Sequence, residues 1–165
     1  RGDIMMNIPA LPSAAARKMS AAETDAFAAF CAELVRIVNV EAKRGVVYWE
    51  VPNEQEDHYT GTELANVVRK AAAAMKKVDP SVKVGGPAWK QPWVASASDF
   101  LRTAAGQLDF ISFHLYGGAP GDGDVATTLR RATNLGPASD DLRRRMKEAT
   151  SRPLELFHDE WNIAW

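Results

Sequence analysis

Apolar positions along the chain fall into two rhythms that take turns. Continuous apolar runs read as buried strands, and apolar residues spaced three or four apart read as helices. The strand-like runs are Asp3 to Ile8, Val46 to Val51, Val82 to Val84, Leu108 to Leu115, and Leu154 to about His158. Between them, Ser20 and Glu23 form a Ser-x-x-Glu capping box that opens a helix, with Phe27, Phe30, Leu34, Ile37 and Val38 on one face. Thr60 and Glu63 repeat that signature ahead of Leu64, Val67, Val68, Ala71 and Met75, and Asp79-Pro80 ends the stripe. Further helices are predicted at about Ser98 to Ala105, Val125 to Thr133 and Asp140 to Ala149, with a glycine-rich loop at 117–123.

Strict alternation of strand and helix predicts a parallel sheet with right-handed crossovers, and so an α/β fold. A doubly wound, nucleotide-binding sheet would need a Gly-x-Gly-x-x-Gly turn or a phosphate loop. Gly85-Gly86-Pro87 has the wrong spacing, and the glycines of 117–123 lack the lysine and hydroxyl. A (β/α)8 barrel instead expects polar groups at strand C-termini. Asn53, Glu54, His114, Tyr116 and Glu160 all sit at such ends. The pattern therefore predicts a partial (β/α)8 TIM barrel, strands 3 to 7 with their helices, as a single catalytic-domain portion spanning 1–165 and truncated at both ends. Its two unpaired edges predict self-association unless something covers them.

Composition narrows the partners. The chain has 165 residues, 46% of them hydrophobic, and a formal net charge of −1. It is too neutral to suggest a nucleic acid or an anionic membrane, and no apolar run approaches the about 20 residues of a membrane helix. Cys31 is the only cysteine and reads as a buried core thiol beside Phe27, Phe30 and Leu34. The first residue is arginine, which leaves localisation open, secreted or cytoplasmic, with a missing N-terminal stretch as the expectation.

The residues at the strand ends resemble a known group. Trp49-Glu50-Val51-Pro52-Asn53-Glu54 is similar to the Trp-Glu-x-x-Asn-Glu signature on strand 4 of clan A glycoside hydrolases, most of all family 39, the β-xylosidases and α-L-iduronidases. Val82 to Pro87, Asp109 to Tyr116, and Glu160-Trp161-Asn162 follow in the order that strands 5, 6 and 7 require. Two departures flank the site: Pro52 stands where tryptophan or glycine is commoner, and His158-Asp159 replaces the commoner Leu-Thr or Ile-Thr.

The resemblance implies a retaining glycosidase with Glu54 as acid/base and Glu160 as nucleophile. It also implies a carbohydrate substrate, no cofactor and no metal. Such chemistry places the two carboxyl groups about 5–5.5 Å apart. At that spacing, and an effective dielectric of about 20, they repel by roughly 3 kcal/mol, about two pKa units, so one keeps a proton while the other is ionised. Asn53 is the expected donor to the sugar 2-hydroxyl. Tyr116 is expected to hold the Glu160 carboxylate, with His114 pointing into the same mouth and Trp89 and Trp161 stacking on sugar faces.

Plainer readings stand beside these. Glu50 inside its strand is expected to be buried and paired, and Glu56-Asp57-His58 to be a solvated loop. His158 reads as a core histidine, Trp93 and Trp165 as packing aromatics, and Arg143 to Lys147 as the wet side of an outer helix. Two rival functions remain: a metal-dependent barrel hydrolase using His58, His114, His158 and Asp159, and a non-catalytic carbohydrate-binding fragment. The first lacks a His-x-His pair on one strand, and the second would be indifferent to Glu54.

Overall fold

The computed structural model describes residues 3–11, 14, 16–118 and 124–162. Five strands form one parallel sheet in sequential order: β1 (Met5–Asn7), β2 (Tyr48–Glu50), β3 (Lys83–Trp89), β4 (Phe110–Tyr116) and β5 (Glu155–Asn162). Helices α1 (Ala21–Val35), α2 (Gly61–Val78), α3 (Ala97–Ala104), α4 (Val125–Ala132) and α5 (Leu135–Ala149) lie between them. The result is a curled portion of a (β/α)8 barrel, as the alternation predicts. The glycine-rich loop beyond Gly118 and the predicted packing of Trp165 lie outside the described residues.

Both capping boxes form. Ser20 and Thr60 each accept from the backbone three residues on, while Glu23 and Glu63 return to the cap backbone. Each such cap is worth about 1 kcal/mol. On α2 the expected stripe of Leu64, Val67, Val68, Ala71 and Met75 is buried throughout. Each large apolar side chain buried this way contributes roughly 1.5–3 kcal/mol. On α1 the stripe is rotated. Phe27, Ala28, Cys31 and Val35 are buried, whereas Phe30 and Ile37 are 46% and 42% exposed. Alanines fill this helix, so the large residues alone misplace its inner face. Cys31 is in the core as expected, and burial pushes its thiol up to about 12.

After Val35 the helix loosens into a π-helical turn over Arg36–Glu41. This turn carries Asn39, which works as a clamp. Its amide donates to the Val46 carbonyl at 2.8 Å and to Asp79 at 2.9 Å, and its carbonyl accepts the Val46 N–H at 2.8 Å. The clamp ties the approach to β2 to the end of α2.

Strand alternation separates two layers. Trp49, Val84, Ile111 and Phe113 face the helices and pack with Leu64, Met75, Phe100 and Leu142 in the main core. On the inner side Tyr48 and Phe110 each meet Phe157 edge to face, at 5.4 and 5.1 Å, and are tilted against each other at 5.9 Å. Lys83 closes that layer, donating to the Tyr48 hydroxyl at 2.9 Å and pairing with Glu155. This cluster fills the N-terminal end of the barrel interior and leaves the C-terminal end for polar groups.

Three elements differ from expectation. β3 runs on through Gly85-Gly86-Pro87 to Trp89. Gly86 has φ +137°, and a Cβ there would collide with the Val51 carbonyl, so only glycine lets β2 and β3 meet at this point. α5 starts at Leu135, because Pro137 falls in its first turn, where proline is tolerated. β5 continues four residues past His158, carrying Asp159 and Glu160 inside the strand.

Candidate active site

The first acidic group is delivered by β2. The strand turns Glu50 inward, and the chain then places Glu54 at φ 49°, in the left-handed region. The Glu54 N–H is held by the Ala88 carbonyl at 3.1 Å. A non-glycine residue in this conformation costs roughly 1–3 kcal/mol, and such strain clusters at functional sites.

The second arrives through a β-bulge. Phe113 pairs with His158 and His114 pairs with Glu160, so Asp159 is an extra residue on β5. A bulge lets two neighbouring side chains turn to one side. Here Glu160 and Asp159 both approach His114, with oxygens 3.6 and 3.9 Å from its Nε2. The opposite ring nitrogen, Nδ1, is 2.7 Å from Glu54 Oε1. His114 is 1% exposed, Glu54 30% and Glu160 48%. A buried imidazole is thus bracketed by two carboxylates that both reach solvent. The nearest atoms of the three groups all lie within 4.8 Å of one another.

Beneath them polar groups are linked in a chain that runs from buried Glu50 to exposed Asn7. Glu50 is 1% exposed and accepts from the Asn7 amide at 2.6 Å. The same Asn7 nitrogen donates to the Asn53 side-chain oxygen at 3.2 Å. Asp159 hydrogen-bonds Glu50. Burial first, and then the Glu50 carboxylate, push the Asp159 carboxyl up to about 8.

The structure brings together Asn53, Glu54, His114 and Glu160 of the predicted set. Tyr116 ends β4 two residues beyond His114 and pairs with Asn162. It does not bring Trp89 or Trp161 there. Trp89 is fully buried on the helix side, edge-on to Phe100 at 5.2 Å, and offers no face to a sugar. Trp161 follows Glu160 and so turns to the opposite face. It lines an apolar cavity of about 280 Å³ with Leu115, Ala132, Leu135 and His158. His158 stacks on Phe113 at 5.2 Å, away from the carboxylates, and burial lowers its pKa. Glu56 is not a solvated loop residue: it accepts the Lys90 N–H at 2.6 Å, while Asp57 pairs with the Lys90 ammonium. Trp93 is half exposed rather than packed.

Asn7 was missed as a site residue by sequence reasoning, although an amide at the C-terminal tip of a strand is a signal that the barrel rule could have used. Asp159 was legible only as a departure from a motif and as a candidate ligand of the metal-dependent rival.

Glu54, His114 and Glu160 also form the one cluster among the described residues with three ligand atoms close enough for one cation. Its donor set contains one histidine, and that histidine is engaged with Glu54. His58, from the metal-dependent rival, is not in the cluster, nor are His158 and Asp159.

The family described as Glycosyl hydrolases family 39 matches residues 39–165. A β-xylosidase from Caldicellulosiruptor saccharolyticus is 33% identical over 120 residues, covering 69% of this chain and 24% of its own length. An intracellular exo-α-(1→5)-L-arabinofuranosidase from Acetivibrio thermocellus is 28% identical over 145 residues, covering 75% of this chain and 27% of its own. The chain thus spans about a quarter of these curated relatives. Among solved structures, a glucosidase from Croceicoccus marinus superposes with a TM-score of 0.70 at 22% identity, over 98% of this chain and 35% of the other. A β-xylosidase from Caulobacter crescentus gives 0.63 at 20% identity, over 86% and 32%. The chain belongs to glycosyl hydrolase family 39.

Proposed function

We propose that this chain carries the catalytic pair of a retaining glycoside hydrolase acting on β-xylosides or related pentosides. Glu54 is the acid/base and Glu160 the nucleophile. The observation that carries the reading is the pair of solvent-reaching carboxylates set on either side of buried His114, with their nearest oxygens within 4.8 Å. Nearest oxygens this close support attack by one carboxylate while the other protonates the leaving oxygen, as in a retaining pair. The relatedness to a β-xylosidase supports the pentoside class.

In the first step the Glu160 carboxylate attacks the anomeric carbon, and the bond to the leaving oxygen breaks as Glu54 gives that oxygen its proton. In the second, Glu54 takes a proton from water, whose oxygen displaces Glu160 from the glycosyl ester. His114, 2.7 Å from Glu54, holds that carboxyl group in place through both steps. Asn53 donates to the 2-hydroxyl.

The test uses a panel of aryl β-glycosides, xyloside first, with Glu160→Ala run alongside and azide added to both. Hydrolysis by the parent, and a glycosyl azide of inverted configuration from the variant, are expected. An unchanged rate in Glu160→Ala would sink the assignment.

A further inference from the structure

The buried floor of the site holds two carboxyl groups that the double displacement does not use. Glu50 on β2 and Asp159 on β5 hydrogen-bond each other across the barrel interior. Glu50 Oε1 and Asp159 Oδ1 are both buried without a donor. Two carboxylates in contact in a low-dielectric interior cannot both be ionised, so the contact requires one proton. With that proton on Asp159, Glu50 is a carboxylate and accepts only.

The consequence runs along the next two contacts. An acceptor-only Glu50 obliges Asn7 to present its NH2 group, seen at 2.6 Å. The second hydrogen of that nitrogen then meets the Asn53 side-chain oxygen at 3.2 Å. With its oxygen occupied, Asn53 has its own NH2 left over for the mouth of the barrel. We propose that Asp159 is a positioning residue: it keeps a proton against Glu50 and thereby sets the direction of a hydrogen-bond chain through Asn7 that aims the Asn53 amide at the sugar 2-hydroxyl. This rests on the reading of Asn53 as a substrate donor given above. The bulge at Asp159 has a purpose in this account, since the extra residue lets β5 supply both the nucleophile and the proton holder.

The midpoint near 8 set by burial puts the loss of that proton within reach of ordinary buffers. Once Asp159 ionises, Glu50 and Asp159 repel and the chain loses its fixed direction. The other titratable groups facing this floor are Glu54 from the loop after β2, His114 from β4 and Glu160 from β5, while His158 stacks on Phe113 on the opposite face. β1 contributes the uncharged Asn7, and β3 places Gly85 opposite Glu50. Asp159→Asn leaves those groups in place and supplies a permanent N–H donor to Glu50, so it isolates the one proton in question.

Two readouts test the idea, and the first needs no turnover. Side-chain amide resonances of Asn7 and Asn53 are followed by NMR from pH 6 to 9 in the parent and in Asp159→Asn. Both are expected to shift with a midpoint near 8 in the parent and to lose that transition in the variant. Amides that ignore pH in this range, or a transition that survives in Asp159→Asn, would overturn the proposal. The second readout is the preference, in kcat/KM, for an aryl glycoside over its 2-deoxy analogue. It is expected to drop roughly tenfold between pH 7 and 9 in the parent, as one hydrogen bond to the 2-hydroxyl is lost, and to stay level in Asp159→Asn. A preference that falls equally in both proteins overturns it. The NMR transition without turnover of any glycoside would instead count against the glycosidase reading and leave the proton on Asp159 in place.

Discussion

At the scale of single residues, the site depends on His114 more than on any group outside the carboxylate pair. Its ring is buried, and each nitrogen faces one of the two acids. Truncation to alanine would leave Glu54 in a strained conformation with no partner on Oε1. We expect His114→Ala to lower kcat by roughly a hundredfold, within the range typical of acid–base assistance. The deficit should shrink on substrates whose aryloxide departs without protonation, because those need Glu54 least. A loss independent of the leaving group would show that His114 does not act through Glu54. His114 was readable from the sequence by strand alternation alone, whereas its role as the bracket between the acids needed the register of β5.

At the scale of elements, local signals were the most legible. The capping boxes at Ser20 and Thr60 and the apolar stripe of α2 formed as read, because each is settled within a few residues of sequence. The rotation of α1 was not legible, since its buried face is built from Ala28 and Cys31 as much as from Phe27. Nor was the bulge on β5, which depends on pairing with β4 some forty residues away. Trp161 was assigned to the mouth for that reason, and the bulge followed by ordinary alternation sends it to the helix side. The π-helical turn gives a separate prediction. Asn39→Ala removes three hydrogen bonds and leaves the Val46 N–H without its partner, while the Val46 carbonyl keeps the Trp49 indole N–H at 3.0 Å. A loss of about 1–3 kcal/mol is expected in denaturant unfolding, with the midpoint moving and the slope unchanged.

At the scale of the whole molecule, the alternation of strand and helix was enough to give the parallel sheet and its partial-barrel curl. It gave no account of how the polar floor is charged. That floor makes stability depend on pH. Asp159 is raised from 3.8 to about 8, so the folded chain binds a proton there that the unfolded chain has lost, and stability falls as pH rises towards 8. His158, whose pKa is lowered, works the other way, but only below its unfolded value of about 6.5. Between about pH 6.5 and 8 the Asp159 effect stands clear. Thermal unfolding should show Tm declining across this window in the parent and level in Asp159→Asn. A Tm that rises through the window would contradict the shared proton. Among the described residues, β1 and β5 are each paired to one neighbour.

The central claim is that Glu160 forms a covalent bond to the sugar while Glu54 manages the proton. The most direct measurement is labelling with an activated 2-deoxy-2-fluoro glycoside, which slows hydrolysis of the glycosyl ester, followed by mass spectrometry of the peptides. One glycosyl unit per chain, on the β5 peptide at Glu160, is the predicted result. A label on any other residue, or turnover of aryl glycosides with no trapped ester, would contradict it.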